Sequence, residues 1–126
     1  MSRELSTIQK REKLNRVIAT DEPGCGGASH CYRIEKNDGE ELENIYHPLA
    51  VITFQEGPRR VETSVSGVVD QDLLEIVRDR LRGFQSGELA TRETAIALTH
   101  VEEALLWLNK RIEDRIERGV LGTMEK

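Results

Sequence analysis

Three arginines near the end of the chain carry the strongest chemical signal in this sequence. The stripe Ala97, Val101, Ala104, Leu108 advances in alternating steps of four and three, and Arg111, Arg115 and Arg118 continue it in the same steps. An apolar helical seam therefore runs into a cluster of guanidinium groups. Arg111 and Arg115 stand one turn apart, with Cβ atoms about 5–6 Å from each other, where like charges repel. Asp114 lies three residues from Arg111 and four from Arg118. Arg115 has no such acid, because the positions three and four away hold Arg111, Ile112, Arg118 and Gly119. Its charge must be met from outside the helix. A pyrophosphate or phosphodiester would meet it, since paired phosphate oxygens match the guanidinium fork, and the end of a helix favours cations on its own account. The competing reading is a solvated helix end whose arginines pair with Glu or Asp of a neighbouring chain. The stripe alone does not choose between them.

Other residues offer weaker chemistry. Gly24-Cys25-Gly26-Gly27-Ala28-Ser29-His30 is a loop whose amides could cradle phosphate or a base edge. It lacks the Gly-Lys-Ser/Thr ending of a phosphate-binding P-loop, and the strand-before, helix-after setting of a dinucleotide fingerprint. Its plain alternative is a flexible entry into a strand. Cys25, His30 and Cys31 have no second ligand pair, so no metal is expected. Phe84 fits core packing or a stacking platform for a base. Trp107 lies one turn before the arginines, where it fits a helix–helix contact or a cation–π partner for Arg111. His47 and His100 show no partner pattern, and Glu102-Glu103 reads as a solvated face. No nucleophile, base or carboxylate pair forms a catalytic constellation, which favours a binding protein over an enzyme and calls for no cofactor.

The totals agree with a small binder. The chain has 126 residues, 37% apolar and 33% charged, which suits one folded domain with a wet surface. A net charge of -5 argues against coating a DNA or RNA polymer, which takes a broad basic face, but allows a local basic pocket. No apolar run approaches membrane-spanning length. Residues 1–15 are charged throughout without a signal-like apolar core. We expect a cytoplasmic setting, with Cys25 and Cys31 reduced.

The elements that must position these residues fall into three zones of a single domain, 1–126. Residues 1–30 hold a short helix over about Gln9 to Thr20, then the Gly-rich loop. Residues 31–66 form an antiparallel sheet with strands Cys31 to Lys36, Leu49 to Gln55 and Arg60 to Val65. Asn37-Asp38-Gly39 is a turn, and Glu40 to Glu43 an exposed acidic loop. Residues 70–119 form a helical hairpin. Asp70 is the expected N-cap, and Leu73, Val77, Leu81 and Phe84 lie on one face of the first helix. Gly87 is the break, and the second helix runs from about Thr91 to Arg118, stopping at Gly119. The fold class is α+β: a small antiparallel sheet followed by a long C-terminal α-helical hairpin.

Several runs resemble one phage family. They are Gly67-Val68-Val69-Asp70-Gln71-Asp72-Leu73-Leu74-Glu75-Ile76-Val77, Arg82-Gly83-Phe84-Gln85-Ser86-Gly87, Glu102 to Leu108, and Arg115-Ile116-Glu117-Arg118-Gly119-Val120-Leu121-Gly122-Thr123. They are similar to those of the anti-Thoeris signal sponges, which share a C-terminal hairpin with the anti-CBASS cyclic-nucleotide sponges; the resemblance covers about residues 21–126. It implies dimers or hexamers that act in the host bacterial cytoplasm. It implies capture, without cleavage, of a cyclic ADP-ribose isomer such as glycocyclic ADP-ribose made by a TIR-domain enzyme. Some members also hold cyclic di- or trinucleotides at separate sites. Carried over by position, Phe84 would stack on the base, and Arg111 and Arg115 would hold the pyrophosphate, with Arg118 beside them. Gly26, Gly27, Ala28, Ser29 and His30 match the family's Gly-rich segment. Thr94 stands where many members have an asparagine that contacts the ligand. Arg59 and Arg82 are the candidates for a second, cyclic-oligonucleotide site. The alternative function is a viral structural or assembly protein that oligomerises through its hairpin.

Overall fold

The computed structural model describes residues 2–37 and 48–126, in two compact units. One comprises residues up to 57 together with 65–67; the other comprises 58–64 and 68–126. The turn expected at Asn37-Asp38-Gly39, the acidic loop and His47 lie outside the described residues.

The first unit is a four-stranded antiparallel sheet in sequential order: β1 Arg3–Glu4, β2 Asn15–Ala19, β3 Cys31–Lys36 and β4 Ala50–Thr53. The expected helix over 9–20 does not form. Leu14, Val17 and Ile18 have helical spacing, but a short apolar run fits either period. Strand pairing wins here, with Val17 opposite Ile34 and Ile18 opposite Arg33. The β-branched pair Val17-Ile18 suits the pleat, and the register seals Ile18 and Ala19 as the buried apolar residues of the described chain. Tyr32 and Phe54 meet edge to face at 5.6 Å. The strand expected over Arg60–Val65 reduces to one bridge, in which Glu56 and Val65 exchange both backbone hydrogen bonds at 2.9 and 2.8 Å. Gly67 closes this unit against β4: a Cβ there would lie 2.4 Å from the backbone carbon of Phe54.

The second unit is the helical hairpin, α1 Asp70–Gln85 and α2 Arg92–Glu117. The cap of α1 is Val69 rather than Asp70, because Asp72 reaches back and its carboxylate accepts the Val69 N–H at 2.9 Å. Thr91 caps α2, its hydroxyl oxygen accepting the Thr94 N–H at 3.1 Å. Gly119, at φ 72°, follows the Arg118 C-cap and ends the helix in the left-handed region. The helices run antiparallel, tied mid-length by Arg78, whose guanidinium donates to Glu102 of α2 at 2.8 Å. Glu102 accordingly holds the Arg78 proton more firmly than usual. Val101, Ala104 and Leu108 are half-buried along the seam, but α1 has no fully buried residue. Two helices cannot enclose each other's apolar faces, and Leu106 and Trp107 remain more than two-thirds exposed.

Gly67→Ala is expected to destabilise the sheet unit by more than about 2 kcal/mol, because the new methyl meets backbone that cannot rotate away. A urea titration followed by Tyr32 or backbone signals checks this; an unchanged midpoint would refute the close approach.

Candidate anion-binding site

The arginine cluster sits on the last two turns of α2. The guanidinium of Arg115 is buried, with only 6% of the residue exposed. It donates to the carbonyl oxygens of Val120 at 3.0 Å and Thr123 at 3.1 Å, and to that of Glu125. The chain after α2 therefore folds back over the helix end and supplies the acceptors that the helix cannot. Arg118 pairs with Asp114 at 3.0 Å and reaches the Lys126 carbonyl. Asp114 thus serves Arg118 rather than Arg111. Arg111 is exposed and makes no hydrogen bond or ion pair among the described residues. Arg111 and Arg115 thus stand one turn apart with no carboxylate bonded to either among the described residues.

The other helical candidates lie at the far end of the hairpin. Phe84 is in the last turn of α1, 39% exposed, with the Arg80 guanidinium 5.5 Å from its ring centroid. Thr94 is in the first turn of α2, its hydroxyl 2.9 Å from that of Thr91. Along α2, Thr94 and Arg111 are separated by a rise of roughly 25 Å. A single chain therefore brings Phe84 together with Thr94, and Arg111 together with Arg115 and Arg118, but keeps the two groups apart. Trp107 stacks under Lys110 at 5.3 Å rather than under Arg111. Arg59 and Arg82 are both exposed, and no hydrogen bond or ion pair joins them.

The Gly-rich loop belongs to the sheet unit. Gly26 and Gly27 adopt φ of 73° and 85° in a short 3-10 turn, a backbone that glycine takes without strain. Asp21 anchors the loop: its carboxylate accepts the N–H of His30 at 3.0 Å and of Cys31 at 3.2 Å, and its carbonyl accepts the Ser29 hydroxyl at 3.2 Å. Ser29 and His30 are buried, leaving Gly26, Gly27 and Ala28 as the exposed rim. The His30 N–H is the main cause of an Asp21 pKa below its ordinary 3.8, with the Cys31 N–H adding to it against the opposing effect of desolvation. Among the described residues no group of His, Cys, Asp and Glu is placed to hold a metal ion, and no helix is long and apolar enough to cross a membrane.

Sequence reasoning missed four participants. Arg80 and Lys110 were findable, since each is a helical neighbour of its aromatic at four and three residues. Asp21, nine residues from His30, and the carbonyls of residues 120–125 carry no spacing signal.

A model of the Acb2/Tad1 hairpin domain matches residues 47–113. The chain is also similar to the protein described as Thoeris anti-defense 1 of Bacillus phage SBSphiJ7, with 50% identity over 78 residues. That match covers 62% of this chain and 54% of the relative, so it spans about half of the relative's length.

Two outcomes follow from this geometry. Because Asp21 titrates below its ordinary value, its anchoring is complete above about pH 4 and is lost as pH falls through the lowered folded value. Hydrogen-exchange protection of the His30 and Cys31 amides should follow that course and vanish in Asp21→Ala; protection insensitive to both would remove the anchor. Arg115→Ala should cost about 1–3 kcal/mol and speed exchange at Thr123 and Glu125. Unchanged exchange there would show that the carbonyl contacts hold nothing.

Proposed function

The chain belongs to the Acb2/Tad1 hairpin-domain family, and on that premise we propose that it is a phage anti-defence protein that captures a cyclic ADP-ribose-type signalling nucleotide and keeps it from its effector without cleaving it. The observation that carries this reading is the pairing of Arg111 with Arg115. Arg111 is free and solvent-facing. Arg115, one turn on, has its charge met by neutral carbonyls alone. A diphosphate supplies what both lack, namely negative charge in a form that a guanidinium grips with two parallel bonds.

Base recognition falls to Phe84 and Thr94, and the roughly 25 Å of helix between them and Arg111 sets a condition. One small nucleotide does not span that length. A pocket using all four residues must draw Phe84 and Thr94 from one copy and Arg111 and Arg115 from another, with two hairpins lying side by side in opposite directions. The exposed Ile76, Leu106 and Trp107 fit such a neighbour. Arg80, already over the Phe84 ring, would lie close to a stacked base and add to its hold. Arg59 and Arg82 are retained as the candidates for capture of cyclic oligonucleotides, on the resemblance alone. An assembly protein would share the need for exposed Leu106 and Trp107 and would pair Arg111 with a carboxylate of the neighbouring copy, but it would hold no nucleotide.

The test is capture and release. The protein is incubated with cyclic ADP-ribose isomers, filtered and heat-denatured, and the released material is weighed by mass spectrometry. An intact isomer is expected. Arg111→Ala should lower affinity about tenfold to a hundredfold, the worth of a charge-assisted bond, with a melting temperature close to that of the parent because its side chain holds nothing in place. A hydrolysed product would point to an enzyme. No captured nucleotide, or full affinity in Arg111→Ala, would return the hairpin to the assembly reading.

A further inference from the structure

The β1–β2 connection and the adjoining ends of β2 and β3 form a groove that the arginine site does not use. It lies wholly within the sheet unit, and most of its lining precedes residue 47, where the hairpin-domain match begins. Its volume is 790 Å³, and its walls include Lys10, Lys13 and Lys36 beside Leu14 and Leu49. Three ammonium groups stand there against one carboxylate, that of Glu12, although the chain as a whole carries a net charge of -5. Among the described residues none of the three lysines makes an ion pair.

The loop that carries two of these lysines is held in shape. The Gln9 side-chain amide donates to the carbonyls of Arg11 at 3.0 Å and Glu12 at 3.3 Å. Glu12 takes a φ of +56°, which is costly for a residue with a Cβ and persists only where its surroundings impose it. The Asn37 side-chain amide donates to the Lys13 carbonyl at 3.3 Å, and the Asn37 N–H to the Leu14 carbonyl at 3.0 Å. The strand register sets Lys36 directly across from Asn15.

Asn15 is the unfinished residue of this groove. Its Oδ1 is buried with no hydrogen-bond partner among the described residues, and a buried acceptor calls for a donor. Its backbone is open as well. The Leu5 N–H donates to the Val17 carbonyl at 2.9 Å, so alternate residues of β2, Asn15 among them, turn their backbone groups to the β1 side. Strand β1 ends at Glu4 and pairs with Ile18 and Ala19, short of Asn15.

An extended acidic peptide answers each of these features. Its carboxylates meet the lysines, its N–H groups meet the open acceptors of Asn15, and its alternate apolar side chains cover Leu14 and Leu49, which are 80% and 52% exposed. A small inorganic anion would leave the apolar walls wet, and a flat anionic lipid surface would not reach a buried oxygen. We propose that this groove is a docking site for an extended acidic segment of another protein, a protein-binding function separate from nucleotide capture.

The probe is a fluorescein-labelled peptide of alternating Glu and Val, blocked at both ends. It is titrated with the full chain, so that the chain's own acidic residues at 40–43 are present throughout. Saturable anisotropy is expected, weakening as salt rises, and the same peptide with Gln for Glu should not bind. Lys13→Glu combined with Lys36→Glu should weaken binding on the order of tenfold. In the parent, the peptide should slow hydrogen exchange at the Asn15 amide, a readout that a diffuse charge attraction would leave unmoved. No saturable binding, equal binding of the Gln peptide, parent-like affinity in the double variant, or unchanged exchange at Asn15 would each overturn the proposal. Binding to vesicles of phosphatidylglycerol and phosphatidylcholine without binding of the peptide would overturn it too, and would assign the lysines to a membrane surface.

Discussion

A guanidinium buried without a carboxylate organises the end of this hairpin. Helix α2 ends with carbonyls unpaired and with Arg115 pointing inward, and neither problem has a solution inside the helix. The chain solves both by turning at Gly119, where φ is 72°, and returning so that Val120, Thr123 and Glu125 face the arginine. The position of Gly122 against Arg60 follows from that return. Arg111 is exposed without a partner among the described residues, and the acid at helical spacing from it, Asp114, pairs with Arg118. Local charge is thus concentrated by default: the segment removes donors from competition but leaves the positive charge in place.

The hairpin that carries this cluster is thin. A seam that includes Leu98, Val101, Leu105, Leu108 and Ile112 of α2 joins two helices, and the ion pair of Arg78 with Glu102 stands beside it. A partly exposed pair of that kind contributes little, so the seam does most of the holding. An apolar helical face left open costs solubility unless something covers it. The exposed Leu106 and Trp107 leave area that a second copy would cover, and under the proposed reading the separation of Phe84 from Arg111 asks for the same partner, the first from unburied area and the second from helix length.

Much of the hairpin was legible in the sequence because helical periodicity, caps and a terminal glycine all act locally. Both helices appear within two residues of their expected ends, but the expected stripe is only partly the packed one: Ala97, Arg111 and Arg118 are exposed, and the covered face of α2 runs through Leu98, Val101, Leu105, Leu108 and Ile112 to Arg115. The N-terminal zone was not legible. Leu14, Val17 and Ile18 obey helical spacing, and only the partner strand Cys31–Lys36 decides in favour of β2, which is information that lies beyond any local window. Arg60–Val65 failed in the other direction: β-type residues at even spacing found one bridging partner at Glu56 instead of a ladder. For the site, the sequence identified that Arg115 needed an outside partner. It could not identify that partner, because backbone carbonyls have no residue type to read.

The absence of an acid near Arg115 in sequence suggested an anion, and the structure supplies carbonyls. The two answers are not exclusive, since a carbonyl and a phosphate oxygen compete for the same N–H while only the phosphate cancels the charge. Three of the five Arg115 N–H groups are bonded to carbonyls, and none of those acceptors cancels its charge. Those bonds fix the position of the side chain, so that under the proposed reading an anion would meet a fixed fork and lose little to ordering it. The uncancelled charge supplies the attraction. Arg111, exposed and without a partner among the described residues, would contribute the second without the first, and under the proposed reading the pair combines a fixed fork with a free one.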